Sequence, residues 1–201
     1  PYEKIEERYN FRLPTVYQTM QSRRWFEFNQ NNPHYLWLNE AEWLSLKKIA
    51  EYDFGFPSLH NFVPFAITGA GDTWCWLPSP DENHPSPIVL CPHDWHMATV
   101  YAPHFEGFLY RQIIDFATDG IEVEDDEEGR QWIHNWQFVF HDFLPSEWID
   151  TLQDIATRPL IKPEPDSHYT GLITEAENHE IVQRDLAFAR LNEEFVWWQE
   201  S

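Results

Sequence analysis

The hydrophobic period changes partway along the segment from Val63 to Ala117, and that change limits what the chain can become. Val63, Phe65 and Ile67 alternate with smaller or polar neighbours, the pattern of a half-buried strand. Gly69-Ala70-Gly71-Asp72 follows and reads as a turn, because glycine tolerates positive φ without a Cβ clash. Asp72 is expected there to bond the backbone of its own turn. Trp74 and Trp76 then share one strand face, with Cys75 and Leu77 on the other. Ile88-Val89-Leu90 suits an interior strand, and His96 to Tyr101 a fourth strand of the meander. From Pro103 the spacing becomes helical: Phe105, Phe108, Leu109, Ile113 and Phe116 fall on one stripe, with the proline in the first turn.

The flanks carry weaker signals. Pro14 separates two short helical candidates, the second starting at Thr15-Val16-Tyr17. His34 to Leu38 reads as a short strand. Asn39 with Glu42 forms an N-cap signature, predicting a helix that carries Trp43, Leu46, Ile49 and Ala50. The tract from Asp53 to Asn61 reads as loop. Residues 119–129 hold seven carboxylates and no Lys or Arg, which predicts a solvated loop. Helical stripes follow in Trp132, Ile133, Trp136, Phe140 and Phe143, and in Trp148, Ile149, Leu152, Ile155 and Ala156. Gln137 to Phe140 also fits a strand. Arg158 to Asp166 is proline-rich linker or edge strand. Thr174 with Glu177 is a capping box, opening a helix to about Ala189. Trp197-Trp198 must dock back on the domain or meet a partner.

Composition narrows the class. The 201 residues include 11 Trp, 8 Tyr and 15 Phe, enough to fill a dense core, and 42% are hydrophobic. No apolar run approaches the roughly 20 residues that cross a bilayer. The opening Pro1-Tyr2-Glu3-Lys4-Ile5-Glu6-Glu7 has neither the basic nor the apolar block of a signal peptide. Two cysteines, Cys75 and Cys91, are too few for a disulfide scaffold, so a cytoplasmic protein with two thiols is expected. Asp and Glu outnumber Lys and Arg by 34 to 13, a net charge of −21. That charge opposes direct binding to nucleic acid or an anionic membrane and steers in a cationic partner.

Several short motifs occur in an order that resembles the SUKH superfamily of Smi/Knr-like proteins, over roughly residues 5–118. Leu13-Pro14-x-x-Tyr17 is similar to the start of that family's first long helix. Phe62-Val63-Pro64-Phe65-Ala66 with Gly71-Asp72 is similar to its first central strand and turn. Pro87-Ile88-Val89-Leu90 with His93-Asp94 resembles the next strand and its loop, and Phe105-Glu106-Gly107-Phe108-Leu109 the closing helix. Where the family commonly carries Asn-Gly-Gly, this chain has Arg23-Arg24-Trp25, which marks it as a divergent member. The resemblance implies an α+β fold: a curved, mainly antiparallel sheet flanked by helices. The expected organisation is a core at 1–118, an acidic loop at 119–129 and a mostly helical extension at 130–201 packed on the core.

The resemblance also implies function. Bacterial members are mostly immunity proteins that neutralise a cognate toxin, often a nuclease, and fungal relatives regulate wall assembly by binding partners. A non-catalytic protein that occludes a basic toxin domain is therefore expected, with a wall-regulator type of scaffold as the alternative. No cofactor is expected. The candidate partner contacts are Glu122, Glu124, Asp125, Asp126, Glu127 and Glu128, which can fill the groove that phosphate would occupy. Trp74 and Trp76, with Trp95, offer an aromatic platform if they are not buried under a helix. A metal-dependent enzyme is the alternative of another class. Cys91, His93, His96 and His104 are zinc-type donors beside Asp94, but no paired C-x-x-C or H-x-x-x-H spacing is present.

Overall fold

The computed structural model describes residues 2–27, 42–55, 57–79, 86–122, 126–161 and 169–198. The strand expected at His34 to Leu38, the cap expected at Asn39, and most of the proline-rich tract lie outside them. Helices α1 (Tyr2–Tyr9) and α2 (Thr15–Ser22) come first, then a two-residue strand β1 (Glu42–Trp43) and helix α3 (Leu46–Glu51). The meander is β2 (Val63–Ile67), β3 (Thr73–Trp76), β4 (Ile88–Cys91) and β5 (Met97–Ala102), followed by α4 (Phe105–Asp119). The remainder is β6 (Ile121–Glu122), α5 (Asp126–Phe140), α6 (Ser146–Ala156), β7 (Tyr169–Thr170), α7 (Glu175–Leu186) and β8 (Glu194–Val196). This is the expected α+β class. The described residues fall into two compact units. One takes those of Pro1–Glu27, Glu40–Phe108 and Phe188–Ser201, the other those of Leu109–Ala187.

The first unit is built on a six-stranded sheet in the order β1-β2-β3-β4-β5-β8, each neighbour antiparallel. Its middle is covered on both faces. On one, Phe105 and Phe108 of α4 meet Phe65, Trp74 and Trp76, with ring centroids 5.0–5.7 Å apart. Tyr17 of α2 adds an edge contact to Trp76 at 4.9 Å, and Tyr101 one to Trp74 at 4.7 Å. The other face buries Phe62, Cys75, Val89, Cys91, Ala98, Val100 and Trp197. All of β3 is therefore interior, and β2 is nearly so, in place of the half-buried strand expected. Pro64 would break a regular interior ladder because it has no N–H, and the register shifts between Pro64 and Ala66, where a bulge accommodates it.

One local reading changes. Glu42 and Trp43 pair with β2 as a strand, and the helix begins only after Ser45, whose hydroxyl accepts from Lys48 N at 3.2 Å. Pairing with β2 buries Trp43 and overrides its place in a helical stripe. After α2 the chain turns with Arg24 at φ 59, the left-handed region that glycine enters without the Cβ clash. Arg24 N donates to Gln21 O and Trp25 N to Met20 O, closing the helix without glycine.

The chain end belongs to this sheet. β8 pairs with β5 through Met97↔Val196, Ala98↔Phe195 and Thr99↔Glu194. Trp197 is 1% exposed, and its indole donates to the carbonyl of Trp95 at 2.8 Å. Beyond β8 the edge is partly blocked: Leu59 N donates to Trp197 O, and Ser58 bridges to Trp198.

In the second unit, α4 runs on to Asp119 and is surrounded by aromatic and polar ties. Tyr110 stacks on Trp148 at 4.6 Å, and its hydroxyl donates to Asp185 at 2.5 Å. Phe116 meets Trp136 edge-on at 5.1 Å. Asn178 donates to both Asp115 and Thr118. The capping box at Thr174 and Glu177 is present as expected, and α7 ends at Ala187 in the left-handed region. Leu172 N donates to Ala117 O at 2.6 Å, so the residues just after β7 lie against the last turn of α4. A Cβ on Gly171 would sit 1.9 Å from the Thr118 carbonyl oxygen, so only glycine fits that approach.

Asp72 behaves differently from expectation. Thr68 serves its turn, the Thr68 hydroxyl accepting from Asp72 N at 3.0 Å. The Asp72 carboxylate instead accepts from His93, from N at 3.1 Å and Nδ1 at 2.9 Å, tying the β2–β3 turn to the β4–β5 loop. This hydrogen bond raises the pKa of His93 above the usual imidazole value. A folded-state value above the unfolded one means the tie stabilises below about pH 6.5 and fades as pH rises through the folded value.

Three outcomes are expected. Gly171→Ala should destabilise the protein by about 2–3 kcal/mol in urea unfolding, since the obstructing atom is backbone. Trp197→Ala should cost about 3–5 kcal/mol by the same measurement. In an NMR pH titration, His93 should titrate above an unperturbed imidazole, and Asp72→Asn should lower its midpoint; an unmoved midpoint would show that the tie does not form.

Candidate partner-binding surface

The acidic run 119–129 is not a loop throughout. Asp119 closes α4, Ile121 and Glu122 form β6 paired to Tyr169–Thr170, and Asp126 to Glu128 open α5. Glu124 and Asp125 lie outside the described residues. The local chemistry explains the change. Carboxylates at a helix N-terminus face the positive end of its dipole, so a run that repels itself in a loop is favoured in a first helical turn. Ile121, inside the acidic run, is buried and anchors it to the fold. Burial pushes the pKa of Asp119 up, with the charges of Asp115 and Glu175 adding to it. Glu127 is exposed to solvent.

The two tryptophans named as contacts lie elsewhere. Trp74 and Trp76 are interior, packed under Phe105 and Phe108. Their rings are committed to the aromatic face of the sheet and cannot also form a platform for a partner. Trp95 is different: its side chain is 55% exposed and lies 4.6 Å from the His96 ring. Sequence pattern could separate the two cases only partly. Trp74 and Trp76 sit at strand spacing with a helix to follow, whereas Trp95 sits in a loop after Pro92.

The candidate metal donors are also dispersed in role. Cys91 is buried beside Cys75 on the sheet face away from α4, and both thiols are free. Burial drives the Cys75 pKa well up, with the Cys91 thiol contributing, so it is held as a thiol and is a poor nucleophile or ligand. His104 Nδ1 accepts from Gly107 N at 3.1 Å at the start of α4. His96 is exposed beside Trp95. His93 is bonded to Asp72. Cys91, His93, His96 and His104 are therefore not gathered into one site. Among the described residues, Asp72, His93 and Asp94 do place one ligand atom each within 4.8 Å of one another, at the surface. The Asp72–His93 hydrogen bond accounts for that proximity.

Among the described residues, no helix is long and apolar enough to cross a membrane. No match was found among curated proteins or among solved structures. A family model does match, over residues 2–111, more than half of the chain. The match spans the sheet from β1 to β5 and the opening of α4, the segment whose periods, turn and closing helix are described above. On that match and that fold, the chain belongs to the SMI1 / KNR4 family (SUKH-1).

Proposed function

We propose that this chain is a non-catalytic, cytoplasmic immunity protein that neutralises a cognate toxin by steric and electrostatic occlusion. The observation that carries this is charge: a family scaffold of binding proteins bearing 34 carboxylates against 13 basic side chains. A toxin of the nuclease kind has a basic groove for phosphate. A strongly acidic protein is drawn to that groove at long range and then covers it.

The acidic stretch through Glu122, Glu124, Asp125, Asp126, Glu127 and Glu128 supports the electrostatic part, as the densest run of carboxylates in the chain. The buried, protonated Cys75 and the dispersed histidines lend no support to a metal-dependent enzyme. The first test is affinity capture of the tagged full chain from its native lysate at low and at high salt. A single basic polypeptide with a nuclease-like domain, lost as salt rises, supports toxin neutralisation. A wall-synthesis complex would replace that reading with the regulatory scaffold. With the partner in hand, neutralising residues 124–128 to Asn and Gln should lower the association rate at low salt by at least about tenfold. Unchanged kinetics would remove the acidic segment from the mechanism.

A further inference from the structure

We propose that the surface around the end of β8, centred on Trp95 and including Leu59, Val196 and Trp198, is the apolar centre of the partner contact. Its occupant is a protein surface that presents arginine. This rests on the partner-binding reading above and names where, and through what chemistry, binding occurs.

Trp95 is 55% exposed, Leu59 49% and Val196 39%, and the backbone segments that carry them meet at the end of β8. They come from three segments distant in sequence, and the backbone locks those segments together. The Trp95 carbonyl accepts from the indole of Trp197 at 2.8 Å and from that of Trp198 at 3.3 Å. Leu59 N donates to Trp197 O at 2.9 Å, and His60 Nε2 lies 3.3 Å from Val196 O. The buried Trp197 anchors the whole arrangement in the core. Backbone held this way has already spent part of the ordering entropy that binding would otherwise cost. Tryptophan is also among the residues most enriched at interface hot spots.

The geometry favours side-chain packing over strand addition, because residues 58–60 already take up the outer side of β8 near its end. Charge selects the occupant. Asp94 adjoins Trp95 and Glu194 lies two residues before Val196; both are exposed, whereas Glu193 is already paired with Arg190 at 2.8 Å. An indole face attracts a guanidinium, and carboxylates at its rim accept the guanidinium hydrogen bonds. A second copy of this chain carries the same net −21 and is repelled, as is an anionic lipid surface. Arginine on a basic protein satisfies both the aromatic centre and the acidic rim.

The test places a photoreactive benzoylphenylalanine at position 95, or at position 138 as a control, in the full chain expressed in its native cell. Phe138 is 80% exposed on α5, so it reports on simple apolar exposure in the other unit. The expected result is one adduct from position 95 and none from 138, with a basic polypeptide whose yield falls as salt rises. Trp95→Ala should then weaken that polypeptide's binding at least about tenfold, with circular dichroism unchanged. An adduct from 138 but not 95, or a Trp95→Ala variant that binds as the parent does, overturns the patch and leaves partner binding intact. An acidic polypeptide crosslinked at 95 overturns the arginine occupant. A parent chain that retains no partner at any salt overturns both this surface and the function on which it rests.

Discussion

The architecture depends on a sheet that must be covered on both faces. Strand β3 carries large rings on one side and a thiol on the other, and every one of its residues is buried. An interior strand of this kind is stable only if two layers close over it, since each exposed face would leave a wide apolar area in water. The first layer comes from the next segment of chain, where α4 lays Phe105 and Phe108 on Trp74, Trp76 and Phe65. The second comes from far away, where the chain end lays Trp197 over Phe62 and the neighbouring aliphatic side chains.

That requirement constrains function as much as fold. Rings and thiols that form a core are not available for recognition or catalysis, so Trp74, Trp76, Cys75 and Cys91 are removed together from the set of working residues. What remains is surface: dense negative charge, and the few apolar side chains that the core does not absorb. The proposed partner-binding role needs no more than this, with steering from charge and residence from a small desolvated centre.

Part of this was legible in residue order. The alternation in Val63 to Ile67, the glycine turn at Gly71, and the change to helical spacing at Phe105 are local patterns, and local patterns report local structure. The capping box at Thr174 was equally legible, because its two hydrogen bonds join residues three apart. The misses are non-local. Glu42 fits a helix cap and Trp43 a helical stripe until β2 lies beside them, and Glu194 to Val196 is too short to show any period at all. Asp72 had an ordinary partner in its own turn, and His93, 21 residues on, became available only when two loops met.

The sequence by itself determined the family, the α+β class, the central meander with its closing helix, and the net charge of −21. These rest on short-range spacing and on composition, which need no knowledge of where distant segments go. The tertiary structure decided which tryptophans are core and which are surface, drew the last strand to β5, and paired Ile121 and Glu122 of the acidic run with Thr170 and Tyr169. Each of those outcomes depends on a contact between residues far apart in the chain, and the energy of such a contact appears in no local window of residues.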